Sequence, residues 1–403
     1  MKKNRHLFIE SFFVLLLTLA VTGVIYVLAV NFKVFNVLQT SYKKIDLIDI
    51  YYSELKNKDV GISKDIALVN IAYLSRAEIA EILTLVNKQD PKVIGLDVVF
   101  KTTNNSMQDS LLLKALNEAG EKLVAGYDVF NENENTNPFF NLENKTKGYV
   151  NLIGNNKAFG VIKKAELKYK KNNDSNTEYS FAYELVKKFN PQLTAKVDGE
   201  KIDIEQRKPF IINYIGGYDR FLPIEGSEVL ENKSILNLLK NRIVIIGFFG
   251  SHFTNSYKLE DRKYTPMNAE GGHGVPDMNG ALIHANIAQM MISKTYINYW
   301  PKGKLFIGLF SLLLAYPFIV LFTYFFARNH IWYHVAAKIT QLILAIILIF
   351  LVLNLYEYVH FKFELKFFLL ILAISVDVLY LYEAIAAFIY TRYGKKSYFI
   401  HEH

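Results

Sequence analysis

The chain contains no cysteine among its 403 residues. Disulfides, thiol catalysis and cysteine-based zinc or iron–sulfur centres are therefore excluded. Common catalytic signatures are missing as well. There is no serine nucleophile elbow, no P-loop and no HExxH helix. A carboxylate pair such as Asp97 with Asp261 can always be assembled from 38 acidic residues, so the pairing alone makes no case for an enzyme. The net charge is +8, but no basic stripe with interleaved aromatics accompanies it, which argues against nucleic acid. The expectation is a protein that is not an enzyme and holds no cofactor.

What the chain does have is long apolar runs. One covers residues 7–30, and three more lie at 305–327, 335–355 and 367–390. A hydrocarbon core takes about 20 apolar residues of helix to cross, so each reads as a transmembrane helix. Residues 31–303 then form one large polar domain. Residues 1–6 and 391–403 are short ends. Lys2, Lys3 and Arg5 precede the first run, Arg328 and Lys338 flank the link between the second and third, and Arg392, Lys395 and Lys396 follow the fourth. The excess of basic residues places both termini in the cytoplasm and the large domain outside. The first run is too long for a signal-peptide core, and Val27-Leu28-Ala29 is a poor cleavage site.

Within the outer domain, apolar runs at 66–71, 92–100 and 123–126 read as buried strands. Residues 76–86 and 111–119 between them have helical apolar spacing. This order implies an α/β domain with a mainly parallel sheet and covering helices. The middle reads as a β-rich insertion. Its strands are expected at 148–153, 160–170 and 208–214, with a hairpin at 197–204 and a helix at 180–189. Residues 131–147 read as an asparagine-rich loop. The α/β pattern resumes at 235–239 and in a strand at 242–246. A glycine-rich loop follows, and a helix over 281–293 closes the domain.

Ligands of open α/β sheets sit beyond the carboxyl ends of the strands. That rule nominates Asp97, Gly247, Asp261, Thr265 and Pro266 as ligand-binding residues. His252, His273 and His284 with Asp261 and Asp277 lack tight ligand spacing, so no metal site is assigned. Asp277 is expected to help cap the closing helix. His284 reads as a hydrogen-bonded core or capping histidine, and Asn286 and Gln289 as contacts to a loop.

Several phrases come in fixed order: Val69-Asn70-Ile71, residues 91–100, Ile243-Val244-Ile245-Ile246-Gly247, residues 261–266, and residues 276–286 with Asp277, Gly280, His284 and Asn286. With one apolar helix before and three after, they resemble the CHASE2 family of bacterial extracytoplasmic sensor domains. The resemblance runs from about Asp46 to Lys294. It implies signal input by a ligand, in the family usually passed to a cytoplasmic kinase, cyclase or phosphodiesterase. The chain is read as departing from the family in having no such domain after Tyr390. It departs also at Asn70, where many relatives carry an acidic residue.

In the membrane region, residues 296–304 read as an aromatic and basic anchor at the bilayer surface. Pro317 predicts a kink. Asp377 and Glu383 fall inside the fourth span, where charged groups usually face protein. Lys338 is expected level with Glu383. Asp377 is expected to be protonated, bonded to Ser375 or tyrosine hydroxyls, or matched by another chain. The expected function is sensory or regulatory, in the bacterial inner membrane. An outer ligand or envelope protein is sensed, and the helices signal to a membrane protein partner or within a homo-oligomer. The alternative is a structural subunit of an envelope complex that uses the outer domain for docking.

Overall fold

The computed structural model describes residues 2–31, 51–52, 56, 61–100, 107–129, 145–152, 160–170, 177–199, 209–231, 235–253, 260–268, 275–300, 304–328, 330–363 and 365–399. The chain divides into two compact units. One is Leu47–Ile297, and the other combines Met1–Asp46 with Asn298–His403.

The first unit is built on six strands: β1 (Ile66–Asn70), β2 (Val93–Asp97), β3 (Leu123–Tyr127), β4 (Thr146–Tyr149), β5 (Leu222–Glu225) and β6 (Ile243–Gly247). They lie in the order β4-β3-β2-β6-β1-β5, and every pairing is parallel. β1, β3 and β6 are buried along their whole length. That explains their unbroken apolar sequences, since both faces of a parallel sheet are covered.

One face is covered by α2 (Arg76–Lys88) and α3 (Met107–Ala119), which pack on each other. Ser75 starts α2. Its hydroxyl accepts from the Glu78 backbone, and the Glu78 carboxylate accepts from Ser75 N at 2.7 Å, a reciprocal cap. Ile79, Ile82, Leu83 and Val86 of α2 and Leu112, Ala115 and Leu116 of α3 join Ala67, Val69, Ile94, Leu96, Val244 and Ile246 in one core. The buried Asp109 is neutralised by Arg76.

The other face carries α4 (Phe181–Phe189), and α6 (Gly280–Ile292) packs beside α4; α5 (Gly226–Glu231) follows β5 and packs on α2. The start of α4 sits almost on the backbone of β4. A Cβ at Gly148 would lie 2.5 Å from Phe181 Cα, so only glycine fits there.

The middle of the domain differs from its sequence reading. The segment expected as a strand at 148–153 is β4, which begins at Thr146, ends at Tyr149 and adds to the main sheet. The strands expected at 160–170 and 208–214 shrink to two short antiparallel pairs. Lys164–Ala165 joins Phe210–Ile211, and Lys168–Lys170 joins Thr177–Tyr179. Of the hairpin expected at 197–204, only 197–199 is described, and there Val197 and Asp198 are helical rather than extended. Ala195–Asp198 is one helical turn, held where Asp198 accepts from Tyr183 at 2.6 Å and from Thr194 at 2.8 Å. Residues 200–208, 130–144 and 171–176 lie outside the described residues. Ile235–Leu239 is a 3-10 helix. Tyr296, read as part of a membrane-surface anchor, is buried in this unit against Phe210 and the Lys196 ammonium.

The second unit holds α1 (Lys2–Asn31), α7 (Lys304–Arg328), α8 (His330–Val359) and α9 (Lys366–Tyr393). All four are long and apolar enough to cross a membrane. Val14 and Leu15 of α1, Ala315, Ile319 and Phe322 of α7, and Ile371, Leu372, Val376 and Leu379 of α9 form its core. α7 continues through Pro317. Tyr316 donates to Phe8 O at 3.0 Å, tying α7 to α1. The tail after α9 returns to the helices. Glu10 of α1 accepts from the Ser397 hydroxyl at 2.6 Å and from Tyr398 N at 2.7 Å. Phe399 is buried among Phe326, Tyr382 and Tyr398.

The expected partnership of Lys338 with Glu383 is corrected as well. Lys338 Nζ lies 2.8 Å from Asp377 Oδ2, and the Gln341 amide donates to Leu372 O. Ser375 donates instead to Leu372 O at 2.8 Å, so it does not serve Asp377. The reason is the link between the last two helices. Phe361–Phe363 packs back on α8 and pairs in parallel with Asn298–Trp300 before α9 begins. α9 therefore starts displaced along α8, and Asp377 rather than Glu383 comes level with Lys338.

Candidate functional site

The strands at the centre of the sheet end in one line. Asp97 pairs in register with Gly247, Gly247 with Asn70, and Asn70 with Glu225. From β1 the chain crosses to β2 and runs on through β3 and β4 to one side; β5 is later added on the other side of β1, and β6 then fills the place between β1 and β2. Such a reversal leaves a crevice beyond the carboxyl ends of the strands.

Asn70 organises this edge. It is completely buried, and its amide donates to Glu225 Oε2 at 2.8 Å and to Gly250 O at 3.1 Å. Its carbonyl accepts from Ala72 N and Phe249 N, both at 3.0 Å. Glu225 accepts in turn from Phe253 N at 2.8 Å, while the ring of His252 lies 3.8 Å away and is 67% exposed. One asparagine thus fixes the loops after β1 and β6 together, where an acid would lack the two donors.

Asp97 is placed differently. Among the described residues no hydrogen bond or ion pair reaches its carboxylate, although the side chain is only partly accessible. Desolvation, followed by the nearby Asp261 carboxylate, pushes its pKa up to about 7. Two glycines let the backbone pack closely around it. A Cβ at Gly247 would meet Asp97 Cβ at 3.3 Å and Ala281 Cβ at 3.0 Å. A Cβ at Gly280 would meet Asp261 Oδ2 at 3.3 Å. Asp97, Gly247, Asp261 and Gly280 therefore converge. Asp261 has φ +54° and lies 3.5 Å from the Lys263 ammonium.

Thr265 and Pro266 are buried, and the Thr265 side chain is committed elsewhere. Its backbone N donates to Asp277 Oδ1 at 2.8 Å, and its hydroxyl donates to the other carboxylate oxygen. The two residues form a clamp that closes the loop between the short strands Arg262–Lys263 and Met278–Asn279. Asp277 is occupied with this clamp. The helix it was expected to cap starts after Asn279, with no side-chain cap. Burial pushes the Asp277 carboxyl up, and the bonds from Thr265 oppose that shift.

His284 is buried, with Nε2 3.1 Å from Val150 O and its ring edge-on to Phe181. Burial pushes its pKa down to about 4, so the ring is neutral. Asn286 holds a turn. Its carbonyl accepts from Ile215 N at 2.8 Å, and its amide donates to Gly216 O at 3.0 Å. Gln289 accepts from Ser63 at 2.6 Å. His273 lies outside the described residues. Among the described residues no group of three potential ligands gathers to hold a metal.

The CHASE2 domain family matches residues 12–317, about three-quarters of the chain. The chain belongs to the CHASE2 family. No curated protein and no solved structure matches it. CHASE2 domains are extracytoplasmic and sensory, which supports a sensory role in general, and four helices long and apolar enough to cross a membrane are consistent with a membrane protein. Among the described residues at the carboxyl edge of the sheet, Asp97 has a carboxyl that no hydrogen bond or ion pair reaches. The residues that sequence reasoning missed as part of the site are Asn70, in its bracing role, and Glu225. The signal available was a polar residue ending an otherwise apolar strand.

Proposed function

We propose that this CHASE2 protein binds a small polar ligand at the carboxyl edge of the sheet, on the outer side of the bacterial inner membrane. It passes its occupancy through the helix bundle to a separate membrane partner, with both termini in the cytoplasm. The observation that carries the reading is Asp97. A carboxyl that no hydrogen bond or ion pair reaches among the described residues, beside two glycines at the carboxyl ends of the strands, offers a ligand one strong acceptor or donor near neutral pH. The neighbouring Asp261 favours a ligand that brings a cation or several N–H or O–H donors. Ala281, against Gly247, begins the helix after which the chain continues into α7, so a change at the crevice acts on the segment that enters the membrane.

The test is a thermal-shift screen of the solubilised full chain against small amines and polyols. A ligand present at 100 times its Kd adds about 2.7 kcal/mol of stability. Asp97→Asn should stay folded and lose the shift. A compound that stabilises wild type and Asp97→Asn equally would overturn the site. Fixed-ratio co-purification with other integral proteins, with no stabilising compound, would favour a docking role instead.

A further inference from the structure

Lys338 and Asp377 make their ion pair on the outside of the bundle. Their side chains are 39% and 58% exposed, although both lie within helices of membrane-spanning length. Lys338 is about 9 Å of helix inside the third candidate span, and Asp377 about 15 Å inside the fourth. Charged groups at such depth ordinarily face protein or a water-filled cavity. Among the described residues, the ion pair each of these two makes is with the other.

The surroundings show how a neighbour would approach. Leu370, Ala373, Asp377, Leu381, Ala384 and Phe388 are all exposed and recur at intervals of three and four along α9, forming one continuous seam. Ala373 and Ala384 keep the seam shallow on either side of the acid, so another helix backbone can come close. α8 continues the surface with the exposed Val335, Ile339 and Leu342 around Lys338.

We infer that this seam is the interface between two copies of the chain, joined about a two-fold axis along the membrane normal. The charge arrangement selects that occupant. Lys338 and Asp377 sit side by side on adjacent helices at one level. A two-fold rotation therefore sets Lys338 against the partner's Asp377 and Asp377 against the partner's Lys338. The four charges close into an alternating ring in which each has two opposite neighbours. A surface that is its own complement is what an isologous interface requires. The inference rests on reading these helices as membrane spans and is independent of the Asp97 site.

The chain has no cysteine, so a single introduced thiol reports cleanly. Ala373→Cys in native membranes should form a disulfide-linked dimer on mild oxidation, and Gly308→Cys on α7 should not. With Ala373→Cys as background, Asp377→Lys should lower the cross-linked fraction at least tenfold. The charge swap Lys338→Asp with Asp377→Lys should restore it, because the ring closes equally well with its signs exchanged. The neutral pair Lys338→Met with Asp377→Leu retains an apolar seam and should also lose the dimer. An undiminished cross-link in that neutral variant, a failure of the charge swap to restore it, or cross-linking of Ala373→Cys only to a protein of another mass would overturn the inference. None of these readouts involves a ligand, so failure here leaves the crevice reading untouched.

Discussion

The side-chain amide of Asn70 donates to Glu225 at 2.8 Å across neighbouring strand ends, and the same nitrogen reaches Gly250 O. With the two bonds its carbonyl accepts, Asn70 ties together segments that are 155 to 180 residues apart in sequence.

Asn70→Ala should therefore destabilise the outer domain by about 3 kcal/mol, since Ala72 N, Phe249 N and Glu225 all lose a buried partner. Asn70→Asp should be destabilised as well, because it sets a second carboxylate beside Glu225, and its deficit should shrink as pH falls. Urea unfolding of the full chain at pH 5 and pH 8 checks both. A loss below 0.5 kcal/mol, on the order of a surface substitution, would remove Asn70 from its central role.

Asp97 predicts a pH profile. Burial, and then the nearby Asp261 carboxylate, push its pKa up to about 7, against roughly 4 for an exposed aspartate, so between these values the folded state holds the extra proton. Stability should fall as pH rises through that window and level off above it. Asp97→Asn should flatten this part of the profile and be the more stable form at pH 8. Melting temperatures at pH 4.5, 6 and 8 decide the matter. Parallel profiles for the two proteins would refute the assignment.

The tail latch gives a proteolytic prediction. Lys395 and Lys396 are exposed and stand just before the residues bound by Glu10. Glu10→Ala should raise the rate of tryptic release of the tail several-fold in purified protein, with little change in expression. Equal rates would show that Phe399 alone holds the tail.

Topology is open to thiol labelling. Cysteines placed at Asn135 and Asn172 should react with an impermeant reagent on intact spheroplasts. Cysteines at Asn4 and Lys395 should react only after the membrane is broken. Labelling of Lys395→Cys from outside would reverse the arrangement.

Much of the outer fold was legible because β1, β2 and β6 are buried on both faces and so are written as short apolar runs. The 3.6-residue pattern of Ile79, Ile82, Leu83 and Val86 marked α2 in the same direct way. Asp97 and Gly247 could be nominated because a strand end is a local feature. What brings Asn70 to Glu225 is the order of strands, which no local pattern contains. The bond from Thr265 to Asp277 was not legible, because a threonine before a proline in a loop has the same sequence whether it faces a ligand or an internal acid. The pairing of Lys338 with Asp377 was not legible, because a sequence gives depth only along each helix, while the Phe361–Phe363 segment sets where α9 begins against α8. The turn at Ala195–Asp198 alternates like a strand, but the hydroxyls of Tyr183 and Thr194 give Asp198 two partners in the helical geometry.

The Glu10 latch also has a consequence for biosynthesis. Its partners in the tail are 387 and 388 residues further on. At about 5–20 residues per second, roughly 20–80 s separate their synthesis. Through that interval α1 is already made, with Glu10, Ser11 and Thr18 destined for burial and no bundle yet to receive them. The insertion machinery, or a chaperone within the membrane, must shelter that polar stripe until residue 399 emerges. Ribosomes stalled before α9 should therefore hold α1 in a state that cross-links to this machinery, and completed chains should release it.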